Sequence, residues 1–333
     1  MEEKIDILLA TYNGEKYLKE QLDSILNQTY KNIRIIISDD CSKDTTPEIL
    51  KEYQKKDDRI ELHIQKNNLG VVKNIEFLLK EVKSPYYMLA DQDDYWLPEK
   101  AEKSLEKLKE EKADLVFGDL EVVDKNLNTM YSSFNDYMLL TRKINKYINS
   151  YKVNYLYNCI TGCTVLAKKE TIEKIIPLPT NSKRVLHDHW IGLMVALNGK
   201  LAYVPEKYIR YRQHGNNEVG TEKISHGFKK LKQVRDWFID VKLGIFETYV
   251  KNNERFPEEL QKLNNLKTNG NTNEFLAGDG SYVTLVINNL TSEDATKALS
   301  AAQGKILNDK MTQLEANIGN VSTELDSING EEI

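Results

Sequence analysis

The chain has 333 residues, of which 40% are hydrophobic and 29% charged, with a formal net charge of -5. That length accommodates one large α/β domain with an appendage, or two ordinary domains. Lysines and arginines are scattered among acids, which leaves no basic stripe for nucleic acid, and nowhere do about 18 apolar residues follow one another as a membrane-crossing helix requires.

Ile5 to Ala10 reads as a buried strand, followed by an amphipathic helix over Lys16 to Asn27 with Tyr17, Leu18, Leu22, Ile25 and Leu26 on one face. Ile33 to Ser38 is a second strand, and Thr45 or Thr46 is placed to cap a helix with Pro47 in its first turn. Ile60 to Ile64 and Tyr86 to Ala90 supply further strands, with a helix over Val71 to Glu81 between them. This alternation predicts right-handed crossovers and a mostly parallel sheet covered on both faces. Such sheets bind ligands beyond the carboxyl ends of their strands. The polar clusters lie there: Thr11-Tyr12-Asn13-Gly14, Asp39-Asp40 and Asp91-Gln92-Asp93-Asp94.

Past residue 114 the pattern is mixed. Strands are expected at Leu115 to Phe117, Glu121 to Val123, Thr164 to Ala167 and Leu201 to Val204, with helices from Lys168 and over His187 to Leu197. Gly227 to Asn252 reads as a basic amphipathic helix. Leu307, Met311, Leu314, Ile318, Val321, Leu325 and Ile328 form a heptad seam, which predicts a coiled coil and a homo-oligomer, dimer or trimer, with a single amphipathic helix docked on its own subunit as the alternative. The expected division is a catalytic domain over 1–225, amphipathic helices over 226–268 and an oligomerising segment over 269–333. Cys41, Cys159 and Cys163 are odd in number and lack zinc spacing, which suits reduced thiols. Met1 to Lys4 has no signal-peptide charge pattern, so the expected location is cytoplasmic, peripheral at most on the inner face of the membrane.

Three carboxylates in the run Asp91 to Asp94 repel one another unless a cation or strong donors neutralise them, and hard oxygen ligands select Mg²⁺ or Mn²⁺. A solvated acidic turn is the alternative. Asp39 is suited to accept a hydrogen bond from a pyrimidine N–H, with Thr11 and Asn13 beside the same base or ribose and Asp40 next to it. Lys73 is either a phosphate contact at a helix start or a surface lysine. Asp188, in His187-Asp188-His189-Trp190, is either a helix cap or a base for a sugar hydroxyl. Arg212 and His214 suit closure over a diphosphate, the histidine also as a metal ligand.

Taken together, Ala10 to Gly14, Ser38 to Ser42, Asn68-Leu69-Gly70 with Asn74, Leu89 to Asp94, Gly162-Cys163, His187-Asp188 with Trp190, and Tyr211 to Asn217 resemble glycosyltransferase family 2, in its rhamnosyltransferase-like branch. The resemblance implies an α/β GT-A fold, a Rossmann-like mixed sheet flanked by helices. It also implies an inverting transfer of a sugar from a nucleoside-diphosphate donor, TDP- or UDP-linked, to a glycan or lipid-linked acceptor. By the same resemblance Asp39 contacts the base, Asp93 is the principal ligand of Mn²⁺ or Mg²⁺ with Asp91 and Asp94 supporting it, Asp188 is the general base, and Trp190 lies on the acceptor side. Thr291 to Lys310 resembles bacteriophage tail-fibre repeats. Two rivals remain at this level. A Rossmann dehydrogenase lacks its G-x-G-x-x-G here, and a non-catalytic assembly protein built on the same fold is opposed by the intact carboxylate set.

Overall fold

A computed structural model describes residues 3–137, 154, 158, 160–179 and 185–214, and the backbone of two strands near the C-terminus. The chain divides into two compact units, 1–259 and 260–333.

In the first unit the elements begin with β1 (Ile5–Thr11), α1 (Leu18–Leu26), β2 (Ile33–Asp39), α2 (Thr46–Lys56), β3 (Ile60–Ile64), α3 (Val71–Lys80), β4 (Tyr86–Ala90), β5 (Tyr95–Trp96) and α4 (Lys100–Glu110). They continue with β6 (Leu115–Gly118), β7 (Glu121–Val123), β8 (Thr129–Tyr131), α5 (Phe134–Tyr137), a 3-10 turn at Gly162–Thr164, β9 (Leu166–Lys168), α6 (Ile172–Ile175), α7 (His187–Asn198), β10 (Leu201–Val204) and β11 (Ile209–Arg212). A seven-stranded sheet has the order β10-β6-β9-β4-β1-β2-β3, and a four-stranded sheet has the order β5-β11-β7-β8. The large sheet is parallel except for β9, which runs against β4 and β6.

The apolar runs Ile5 to Leu9, Ile35 to Ile37 and Tyr86 to Ala90 are buried along both faces, as a sheet covered by helices demands. Ile7, Ile35 and Met88 share one core with Leu22 and Ile25 of α1. Asp6 is the charged exception in β1. It stands opposite Arg34 in register, meets its guanidinium at 2.6 Å, and accepts hydrogen bonds from the amides of Lys83 and Ser84 and the Ser84 hydroxyl. Full pairing is the condition for a buried charge to be tolerated.

The seven expected strands and helices through β4 stand where periodicity places them. Helix α4 was not read from the sequence. Strand β9 starts later than expected, after the 3-10 turn, and the helix expected from Lys168 is a 3-10 turn at Lys169–Thr171 leading into the single turn of α6. Strands β5, β8 and β11 are two to four residues long, too short for period-2 alternation to register. Thr45 makes no side-chain cap on α2. Asp44 accepts the Thr46 amide instead, and the Thr46 hydroxyl accepts the Gly14 amide.

In the second unit, β12 (Asn273–Leu276) and β13 (Tyr282–Leu285) pair antiparallel. The basic helix expected over 227–252, the heptad seam over 307–328, Cys159 and residues 215–217 lie outside the described residues.

Candidate active site

The parallel register sets Thr11 beside Asp39 at the carboxyl ends of β1 and β2. Asp39 is fully buried. Its Oδ1 accepts from Thr11 Oγ1 at 3.1 Å and Ser42 Oγ at 2.5 Å, and its Oδ2 accepts from the Ser42 amide at 3.0 Å. Asn13 has φ +49°, a left-handed conformation that Asn tolerates better than most residues. Its side-chain oxygen accepts the Lys43 amide at 2.9 Å. Thr11, Asn13 and Asp39 thus form one hydrogen-bonded wall with the 41–43 loop.

Asp40 does not join that wall. Its carboxylate turns the other way and accepts the amides of Leu69 and Gly70 at 2.6 and 2.9 Å, anchoring the loop into α3. The expectation that it contacts nucleotide is corrected accordingly: adjacent residues point to opposite sides of the strand end, and both Asp40 oxygens are engaged. Gly70 has φ +81°, which explains a glycine before that helix. Lys73 lies in the first turn of α3 and does not line the cavity described next.

A cavity of about 400 Å³ opens above the ends of β1 and β4, lined by Tyr12, Asn13, Gly14, Lys16, Tyr17, Gln92, Asp93 and His214. Asp93 Oδ2 and His214 Nε2 are 2.8 Å apart within it. The His214 ring stacks on Tyr17 with centroids 4.8 Å apart. Oxygen and imidazole donors converging on a polar cavity fit a divalent cation of the Mg²⁺ or Mn²⁺ kind.

The acidic run divides by direction. Asp94 is 0% exposed, and its carboxyl accepts the Arg212 amide at 3.2 Å. Burial, then the neighbouring Asp91 and Asp93, push its pKa well up, favouring the protonated form. Asp91, Asp94 and Cys163 bring their ligand atoms within 4.8 Å of one another on this inner side. Burial pushes the Cys163 thiol pKa well up too, and brings Lys100, over the Trp96 ring, down to about 7. The repulsion foreseen among the three acids is therefore relieved partly inside the protein, and Asp94 faces the interior beside Asp91 and Cys163 instead of lining the cavity.

Two further expectations are corrected. Arg212 is 2% exposed, and its guanidinium is held by Glu20, the Asp93 carbonyl at 2.8 Å and the Lys125 carbonyl at 2.8 Å, with its face against Tyr17. It buttresses the acidic run from behind and does not close over a diphosphate. Trp190 is buried with its indole N–H on the Ile175 carbonyl at 2.8 Å, so it packs α7 in the core and does not face an acceptor. His189, also buried, meets the Asn154 carbonyl at 2.6 Å, and burial pushes its pKa down.

Asp188 is partly exposed in the first turn of α7 and makes no cap. Its Oδ1 accepts from Asn158 at 3.1 Å and from the His189 amide at 2.7 Å. A Cβ on Gly162 would come within 3.6 Å of Asp188 Cβ and 3.1 Å of His187 Nε2, so the 162–164 turn lies close against this helix and a side chain there would need the His187 ring to give by a few tenths of an ångström. Cys163, the next residue, brings its sulfur within 4.8 Å of the Asp91 and Asp94 carboxylates, so this turn touches both α7 and the acidic run.

Sequence reasoning missed Lys16, Tyr12 and Gln92 as cavity residues and read Tyr17 only as helix core. The signal available was position: all four flank the strand ends already singled out.

The Glycosyl transferase family 2 domain matches residues 6–176, more than half of the chain, and phage tail fiber repeats match residues 286–318. The dTDP-rhamnosyl transferase RfbG of Shigella flexneri is 30% identical over 244 residues, covering 69% of this chain and 80% of that one. Glycosyltransferase GlyG of Streptococcus pneumoniae is 26% identical over 227 residues, covering 67% and 75%. Among solved structures, S. aureus TarS 1-349 in complex with UDP-GlcNAc aligns with a TM-score of 0.53 at 18% identity, covering 78% of this chain and 70% of that one. Mannosyltransferase PcManGT from Pyrobaculum calidifontis, in complex with GDP-Man and Mn²⁺, aligns with a TM-score of 0.50 at 14% identity, covering 79% and 68%. With its mixed GT-A sheet and its polar strand ends, the chain belongs to glycosyl transferase family 2 and is a nucleotide-sugar glycosyltransferase.

Proposed function

We infer that the enzyme is an inverting sugar transferase whose donor diphosphate occupies the cavity between Lys16, Asp93 and His214. The observation that carries this reading is the convergence, in one cavity, of a carboxylate, an imidazole, a lysine and the Tyr12 ring. Thr11, Asn13 and Asp39 form the wall on the nucleoside side. Asp93 and His214 would hold Mg²⁺ or Mn²⁺, which when bound supplies Lewis-acid neutralisation of the charge that develops on the leaving diphosphate. Lys16, which projects over Tyr17 at 4.9 Å, takes the diphosphate role first expected of Arg212. Asp188 takes the proton of the acceptor hydroxyl as the new bond forms on the opposite face of the sugar, so no covalent sugar-enzyme species is needed. The Arg212 buttress keeps Asp93 aimed at the cavity.

Thymidine-diphosphate rhamnose is the donor proposed, supported by the similarity to the dTDP-rhamnosyl transferase of Shigella flexneri, 80% of which the match covers; a uridine-diphosphate hexose is the second reading. The acceptor proposed is a hydroxyl of a glycan or lipid-linked glycan in cell-surface polysaccharide synthesis. The enzyme would act in the cytoplasm, with 227–252 meeting the inner membrane face and 307–328 assembling a dimer or trimer. A thermal-shift screen of nucleoside diphosphates with Mn²⁺ tests the donor assignment, because ligand binding to the native state raises its stability. Stabilisation by none of them would overturn it. Binding to anionic vesicles at low salt tests the membrane contact, and mass measurement before and after removal of 269–333 tests the assembly role.

A further inference from the structure

The four consecutive amides of residues 12–15, at the rim of the cavity, are each held by a side chain from elsewhere. Asn13 donates to Ser42 Oγ at 2.8 Å, Gly14 to Thr46 Oγ1 at 2.8 Å and Glu15 to Asp44 Oδ2 at 3.1 Å, in the loop before α2 and at the first residue of that helix. The Tyr12 amide alone crosses to the acidic run, donating to Gln92 Oε1 at 2.8 Å, and the Gln92 amide nitrogen donates back to the Tyr12 carbonyl at 3.0 Å. One side chain thus satisfies both backbone groups of one residue 80 positions away, as a strand rung would.

Gly14 shows how closely this amide is seated. A Cβ there would lie 2.3 Å from Gln92 Oε1 and 2.7 Å from its Cδ. The obstacle is steric and local, since Gly14 is not in the left-handed backbone region that would itself demand glycine.

The geometry points to Gln92 as a positioning residue that straps the donor-side loop at Tyr12 to the loop carrying Asp93, so that the two walls of the cavity are held at one spacing before the donor arrives. Gln92 acts through the Tyr12 peptide, and Gly14 is the space that lets it do so. This rests on the cavity being the nucleoside-diphosphate site. Preformed spacing removes an ordering cost from binding, so the strap governs affinity before rate.

The test is a cycle of Gln92→Ala, Gly14→Ala and the double variant in the full chain. Gln92→Met is added as a side chain of similar length without polar ends. Two readouts are taken: amide hydrogen exchange at Tyr12 without ligand, and the Kd for uridine diphosphate with Mn²⁺. Each single variant is expected to speed Tyr12 exchange about tenfold or more, and to raise the Kd roughly five- to tenfold. The double variant should be no worse than the worse single, because Gly14→Ala does its damage by evicting Gln92. Gln92→Met should match Gln92→Ala. Unchanged Tyr12 exchange in Gln92→Ala, or single effects that multiply in the double variant, would overturn the strap. A raised Kd with unchanged exchange would make Gln92 a direct ligand contact and also overturn it. If uridine diphosphate fails to bind the unaltered protein, the reading of the cavity for that nucleotide fails, and the ligand-free exchange measurement alone decides for or against Gln92.

Discussion

The imidazole of His214 lies 2.8 Å from the carboxylate of Asp93, joining the end of β11 to the end of β4 across 121 residues of sequence. The pair lines the cavity with Lys16, while the next acid, Asp94, faces inward. Replacing Asp93 by Ala is expected to lower ion-dependent donor hydrolysis by about 10²-fold or more, and His214→Ala by roughly tenfold. Hydrolysis of the donor with Mn²⁺, with and without excess chelator, checks both. Full activity in chelator would refute the metal assignment.

Asp188 is assigned to chemistry, not to donor binding. Asp188→Asn should reduce kcat by roughly 10²- to 10⁴-fold. The Kd for nucleoside diphosphate, measured by calorimetry, should stay the same. A parallel loss of nucleotide affinity would mean that the residue shapes the donor site instead.

Arg212 predicts a different signature. Removing its buried guanidinium leaves the Asp93 and Lys125 carbonyls without their donor and strands Glu20, whose side chain is 45% exposed. Arg212→Met should therefore cost about 2–3 kcal/mol, less than the ~3–5 of a fully buried pair. Denaturant titration reads this. Trp190→Phe, which loses one buried hydrogen bond, should cost about 1 kcal/mol and keep transfer activity. Selective loss of activity there, with stability unchanged, would restore an acceptor role.

The buried Asp6 gives the protein an acid-sensitive tie. Burial alone would raise its pKa, but the Arg34 guanidinium and the hydrogen bonds from Ser84 and Lys83 outweigh it and hold the carboxyl below its ordinary value. A depressed folded-state pKa contributes stability that is present above the unfolded value, about 3.9, and is lost as pH falls through the folded one. The stability gap between the parent and Asp6→Asn should be full at neutral pH and narrow below about pH 4. A gap independent of pH, measured by urea unfolding, would contradict the ion pair.

What the sequence determined by itself is where the polar strand ends sit. Apolar-rich segments of five to seven residues form strands, a parallel sheet leaves its carboxyl ends open, and Thr11, Asp39 and Asp93 lie at or just past the ends of such strands. Tertiary structure alone decided which way each neighbour in a polar pair turns. Asp39 bonds to Thr11 while Asp40 binds the turn before α3. Asp93 meets the cavity while Asp94 meets the Arg212 amide in the interior. Local composition is the same for both members of a pair; the difference is the partner the fold brings to each, the turn before α3 for Asp40 and, more than a hundred residues later in the chain, β11 for Asp94. Gln92 and Arg212 illustrate the same limit. Each has the chemistry to touch a ligand, and only the position of Tyr12 in one case, and of Glu20 and the Asp93 carbonyl in the other, commits its donors to the protein's own backbone and side chains.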